Sequence, residues 1–159
     1  MKRKELYWIL GTSILVIILN LFFFGKNAFI ADGTININIH DTYFVLANLH
    51  FVSLLSIFVF FIVYLIRSII NRYENVTVNI VLIATTIALI LIIGGIISIS
   101  DMFSQSFNTP ENFSSTGAKS PVSEILNNLS KILFYVQIVL LVLLAYSGFK
   151  AGQNYKRIS

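Results

Sequence analysis

The stretch from Val78 to Ile99, VNIVLIATTIALILIIGGIISI, contains 22 residues and no Asp, Glu, Lys, Arg or Pro. An α-helix needs about 20 predominantly apolar residues to cross the hydrocarbon core of a bilayer. Because a helix satisfies its own backbone hydrogen bonds, we expect this run to form a membrane-spanning helix. Its many Ile and Val residues favour strands in water, but an uninterrupted apolar run of this length indicates a helix.

Three further stretches of the sequence have the same character. They run from about 7 to 24, from 43 to 66 and from 132 to 149. The whole chain of 159 residues is 57% hydrophobic and 11% charged, whereas soluble domains carry about 25% charged residues. This composition excludes a soluble or a disordered protein. We therefore predict an all-α membrane protein, a single domain of four transmembrane helices in contact with the lipid bilayer.

The basic residues are distributed unevenly between the segments that flank these spans. Eight of them lie on one side and three on the other, which predicts that both termini are cytoplasmic and that loops 25–42 and 100–130 are outside. This pattern indicates a multi-pass protein of a bacterial inner (plasma) membrane and argues against nucleic-acid binding. The eight are Lys2, Arg3, Lys4, Arg67, Arg72, Lys150, Lys156 and Arg157; the three are Lys26, Lys119 and Lys131.

Local patterns predict some structure in the outer segments. Residues 34–39, TININI, alternate with period two and predict a short extended segment. Ser120 followed by Pro121 is typical of a helix start, with Ser as N-cap and Pro at the first helical position. Within the spans, Asn20 and Gln137 are expected to form interhelical hydrogen bonds. Gly94 and Gly95 are expected to let two helices approach closely.

The residues available for cofactor chemistry are few. The chain has no Cys and only two His, His40 and His50, which excludes disulfides, thiolate sites and a His-rich metal centre. His50 lies in the outer half of the predicted second span, about seven residues or 10 Å from its start. There it would either bind haem iron or form a hydrogen bond with a neighbouring helix. Asp41 would serve as the N-cap of that span.

Residues 40–52, HDTYFVLANLHFV, resemble a segment of a known family. In subunit I of the haem–copper oxidases, the tenth transmembrane helix reads HDTYFVVAHFHYV, and nine of the 13 positions match. That helix runs from the outer face to the cytoplasm, the direction predicted here for the second span. Four spans with a cytoplasmic C-terminus are also similar to the last four helices of the twelve-helix subunit.

The resemblance implies roles for four residues. His50 would be an axial ligand of the low-spin haem, and His40 and Asp41 would contribute to a weak Mg or Mn site. Asn48 stands where the family has the ligand of the high-spin haem, so this position is degenerate. The further His residues of the family's copper site are absent from this chain. We therefore expect no copper and no catalysis of dioxygen reduction by this chain alone.

Two functions follow as expectations. In the first, the protein resembles a fragment of subunit I of the respiratory chain and binds heme through His50 or associates with a respiratory complex. The second axial ligand would then come from other oxidase subunits or from a homo-oligomer. In the alternative, it is a haem-free accessory membrane protein that keeps the motif for helix capping and packing. A transporter is disfavoured because no predicted span contains a charged residue.

Overall fold

The computed structural model describes residues 3–30, 33–39, 42–107 and 121–155. Each of its four helices is long and apolar enough to cross a membrane, which confirms the prediction of four long apolar helices. A two-stranded antiparallel hairpin separates the first two helices. In chain order the elements are α1 (Arg3–Phe24), a 3-10 turn (Gly25–Phe29), β1 (Thr34–Ile39), β2 (Thr42–Ala47), α2 (Asn48–Ile70), α3 (Val76–Phe107) and α4 (Pro121–Tyr155).

The second predicted span begins five residues later than expected. Residues 43–47, which we expected to be helical, belong to strand β2 and pair with β1, with Ile37 opposite Phe44 and Asn36 opposite Val45. The segment Thr42–Ala47 is rich in β-branched and aromatic residues, which favour strands when a partner strand is available. The alternating segment Thr34–Ile39 is that partner, so its predicted extended structure is confirmed.

The last two helices extend beyond the predicted spans 78–99 and 132–149. Helix α4 begins at Pro121, which confirms the predicted start, and continues without a break to Tyr155. Helix α3 continues to Phe107, through residues that we had placed in the outer loop 100–130. Two hydrogen bonds between α3 and α4 stabilise these extensions. Ser130 Oγ donates to Asp101 at 2.7 Å, and Ser104 Oγ donates to Asn127 at 3.0 Å.

The chain contains two compact units, and each has its own core. The first unit comprises Met1–Thr85 and Ser147–Ser159, and Tyr64, Val78 and Leu82 are fully buried within it. The second unit comprises Thr86–Tyr146, with Leu89, Ile93 and Leu140 buried. Many other large apolar side chains of the helices are exposed, as is expected of surfaces that face lipid rather than water.

A tight turn at Asn71–Asn75 joins α2 to α3 in the first unit. Arg72 and Tyr73 adopt positive φ angles of 47° and 60°, a conformation that costs a non-glycine residue roughly 1 kcal/mol or more. Hydrogen bonds to the Tyr73 carbonyl offset this cost. Asn79 Nδ2 at the start of α3 and Asn154 Nδ2 at the end of α4 both donate to it, each at 2.7 Å. The turn thereby joins the ends of three helices.

Candidate functional site

Asn48 and His50 lie in the first turn of α2, directly after the hairpin. The Asn48 side chain is 2% exposed, and its backbone N–H donates to the Gly33 carbonyl at 2.8 Å. The His50 side chain is exposed and has no hydrogen bond to any residue in the described part of the chain. Residues two positions apart on a helix point about 200° away from each other. The different burial of the two side chains agrees with this expectation, and they do not share one site.

The later start of α2 changes the depth of His50. Our expectation placed the imidazole seven residues inside a helix that began at Tyr43. Because α2 begins at Asn48, His50 is its third residue and lies about 3 Å along the axis from the first. It is therefore at the end of the potential membrane span. An imidazole there is accessible to a ligand, and it is also within reach of water at a membrane surface.

The predicted metal pair, His40 and Asp41, lies outside the described residues. Between them, the described ranges bring no three His, Asp or Glu side chains together as metal ligands. The cofactor chemistry that the sequence predicts therefore depends on His50. If a haem binds here, the exposed imidazole would supply one axial ligand, and a second ligand would have to come from another element.

A second polar site joins α1, α2 and the turn of the first unit, and the sequence analysis did not find it. Arg67 Nη2 lies 3.0 Å from Glu5 Oε2 and donates to Glu5 Oε1 at 3.1 Å. Asn75 Nδ2 also donates to Glu5 Oε1, at 2.8 Å. The side chains of Arg67 and Glu5 are only 11% and 8% exposed. Their opposite charges therefore compensate each other in a buried environment.

Two aromatic rings complete the surroundings of Arg67. Its guanidinium carbon lies 4.6 Å from the ring centre of Trp8 and 5.5 Å from that of Tyr64, distances typical of cation–π contacts. The predicted second span ends at residue 66, but α2 continues to Ile70, so that Arg67 is in its last turn. Glu5 lies in the first turn of α1. A carboxylate in the first turn of a helix and a guanidinium in the last turn both interact favourably with the helix dipole. This preference is the signal in the sequence that could have predicted the positions of Glu5 and Arg67.

The polar residues inside the predicted spans form the interhelical bonds that we expected. Asn20 Nδ2 of α1 donates to Ser56 Oγ of α2 at 3.0 Å. In the second unit, Gln137 Nε2 of α4 donates to the Ile90 carbonyl of α3 at 3.3 Å. A Cβ atom at Gly94 would lie 3.3 Å from the same Gln137 nitrogen, whereas one at Gly95 would meet nothing within 4 Å. Close helix packing is thus confirmed at Gly94.

Comparison of the chain with protein-family models, with curated proteins and with solved structures found no match.

Proposed function

We propose that this chain is a multi-pass protein of a bacterial inner membrane that binds a haem through His50, together with a second ligand from another chain. The observation that carries the proposal is the exposed His50 imidazole, which no described residue engages. It lies within the 13-residue segment that resembles subunit I of the haem–copper oxidases. The proposed partner is a subunit of a respiratory complex or a second copy of this chain.

In this function the chain acts as an accessory protein rather than as an oxidase. Asn48 occupies the position of the family's second haem ligand, and its side chain is buried. An amide is a poor substitute for an imidazole at haem iron. His40 and Asp41 would add a weak Mg or Mn site only if a partner supplied further oxygen ligands. Bound haem would supply electron transfer, and His50 would hold its iron from one side.

The test is a reduced-minus-oxidised absorption spectrum of the protein purified in mild detergent from haem-replete cells. We expect a Soret and an α-band in the wild type, and we expect both to be lost in His50→Ala. Leu49→Ala is the matched control, because Leu49 is the exposed neighbour of His50 and has no ligand atom. The absence of haem from the wild type, or its retention in His50→Ala, would contradict the proposal.

The second candidate is a haem-free accessory membrane protein. The strand structure of Thr42–Ala47 favours it, because the first half of the resembling segment then serves the hairpin rather than a membrane helix. The backbone bond from Asn48 to Gly33 also ties this segment to local structure. In this function no cofactor copurifies. His50→Ala leaves the thermal unfolding temperature unchanged, because the exposed imidazole has no hydrogen bond to a described residue.

A further inference from the structure

One end of the first unit brings together the ends of all four helices. The Glu5–Arg67 contact joins the start of α1 to the end of α2. The hydrogen bonds of Asn79 and Asn154 to the Tyr73 carbonyl add the start of α3 and the end of α4. Residues that are far apart in the sequence therefore share one small surface. We call this surface the basic end, and we define it by Lys4, Arg67, Arg72 and Lys150.

Of the four basic residues that define the basic end, only Arg67 has an ion-pair partner among the described residues. Glu5 neutralises Arg67, but Lys4, Arg72 and Lys150 have no ion pair with any residue that the structure describes. Arg72 and Lys4 are exposed, and Lys150 is half-buried. The exposed Glu74 is the only other acidic residue of this end within the described ranges. The sequence has four more basic residues within seven positions of Lys4 or Lys150 along the chain: Lys2, Arg3, Lys156 and Arg157.

The spacing of the helical residues places these charges close to the contacts that define the end. Lys150 lies four residues before Asn154 on α4, so both are on the face that meets the turn. Arg72 is the neighbour of Tyr73, whose carbonyl accepts those bonds. Lys4 lies four residues before Trp8 on α1, again on one face.

Trp8 indicates the depth of this end in a membrane. Its ring is half exposed while one face contacts Arg67. Tryptophan is enriched at the level of lipid headgroups, where its ring is in contact with lipid and its N–H with water. Tyr7 beside it is also exposed. If Trp8 lies at the headgroup level, Lys4, Arg72 and Lys150 lie near the phosphates of the same leaflet.

We propose that the basic end binds the headgroups of anionic phospholipids. Positive charge that has no ion pair among the described residues complements the phosphate of a lipid such as phosphatidylglycerol. A Lys or Arg near an anionic surface strengthens the association by about fivefold at low ionic strength. This inference does not depend on haem binding by His50.

The experiment uses Trp8, the only tryptophan of the chain, as the reporter. The full-length protein is reconstituted in phosphatidylcholine vesicles that contain increasing fractions of either brominated phosphatidylglycerol or brominated phosphatidylcholine, whose bromines quench nearby tryptophan. We expect half-maximal quenching at a fraction of the anionic lipid that is lower by at least about fivefold, the effect of a single Lys or Arg. This preference should disappear in 1 M NaCl, where the Debye length falls to about 3 Å.

Three variants distinguish an effect of the basic end from a general effect of the net charge of the protein. The triple variant Lys4→Gln, Arg72→Gln and Lys150→Gln should reduce the preference to parity, and Lys4→Gln alone should reduce it only in part. Lys131→Gln, an exposed residue of the second unit, should leave it unchanged. Equal quenching by the two lipids in the wild type, or the same loss in Lys131→Gln, would overturn the proposal. Recovery of fluorescence with inorganic phosphate, but not with chloride of equal ionic strength, would identify a soluble anion as the ligand and would also overturn it.

Discussion

At the residue scale, the Glu5–Arg67 pair is the most consequential polar contact of the first unit. It is almost fully buried, and Asn75 supplies a further hydrogen bond to the same carboxylate. Desolvation of two charges offsets much of their attraction, so the intact pair contributes little net stability. Removal of one partner has a larger effect, because the remaining charge is then buried without compensation.

We expect Arg67→Met to destabilise the protein by about 3 kcal/mol, since Glu5 is left as an uncompensated buried charge. The double variant Arg67→Met with Glu5→Gln should regain part of this loss. The measurement is the free energy of unfolding from a denaturing-detergent titration of the purified protein. Lys131→Met removes an exposed charge and is expected to change the free energy by less than about 0.5 kcal/mol. Equal effects of the two single variants would show that burial of the pair is unimportant.

At the scale of elements, the β1–β2 hairpin makes residues 42–47 a strand, so that only residues from 48 onward are helical. The resemblance to the oxidase segment predicts helix from about 43, but pairing with Thr34–Ile39 gives residues 42–47 backbone partners in a strand. Asn36 and Val45 are opposite each other in this register. A helical segment would not keep such a pairing.

A disulfide cross-link tests the hairpin register, and the absence of native Cys keeps the background at zero. Opposite residues of antiparallel strands have Cα atoms about 4.5–5.5 Å apart, which fits a disulfide. We expect Asn36→Cys with Val45→Cys to cross-link under mild oxidation, as seen by a mobility shift reversed by reductant. Asn36→Cys with Phe44→Cys is the control, because adjacent positions of a strand face opposite sides. Cross-linking of the control pair alone would show a register shifted by one residue.

At the scale of the whole molecule, the contacts of the first unit place the start of α1, the turn at 71–75 and the end of α4 at one end. The predicted topology, with an even number of crossings, requires the start of α1 and the end of α4 to lie at the same end. The uneven distribution of Lys and Arg predicts that this side is cytoplasmic. Lys26 follows Glu5 by 21 residues, so α1 separates it from this end by about 30 Å.

Single Cys variants test this orientation in intact bacteria with a membrane-impermeant maleimide. We expect Lys26→Cys to be labelled, and Glu74→Cys and Gly152→Cys to be labelled only after the cells are permeabilised. Gly152 is suitable because a Cβ there would meet nothing within 4 Å. Labelling of Glu74→Cys but not of Gly152→Cys would contradict the shared end. Labelling of both in intact cells would instead reverse the predicted orientation.

Some features of the candidate site could be predicted from the sequence pattern, and others could not. The opposite directions of Asn48 and His50 follow from helix geometry alone and agree with their burial. The bonds of Asn20 and Gln137 were predictable because a polar side chain in an apolar span needs a partner. The depth of His50 was not predictable, since it depends on where α2 begins. That position depends on whether residues 42–47 find a partner strand.

The amino-acid sequence by itself determined the four apolar helices, because length and uninterrupted hydropathy suffice for a helix able to span a bilayer. It also determined the period-two segment and the helix start at Pro121. Only the tertiary structure decided the partners of Glu5, Arg67 and Tyr73 and the strand pairing of Thr42–Ala47. The physical reason is that periodicity and charge act locally along the chain. Ion pairs and strand pairs, in contrast, join residues that only folding brings together.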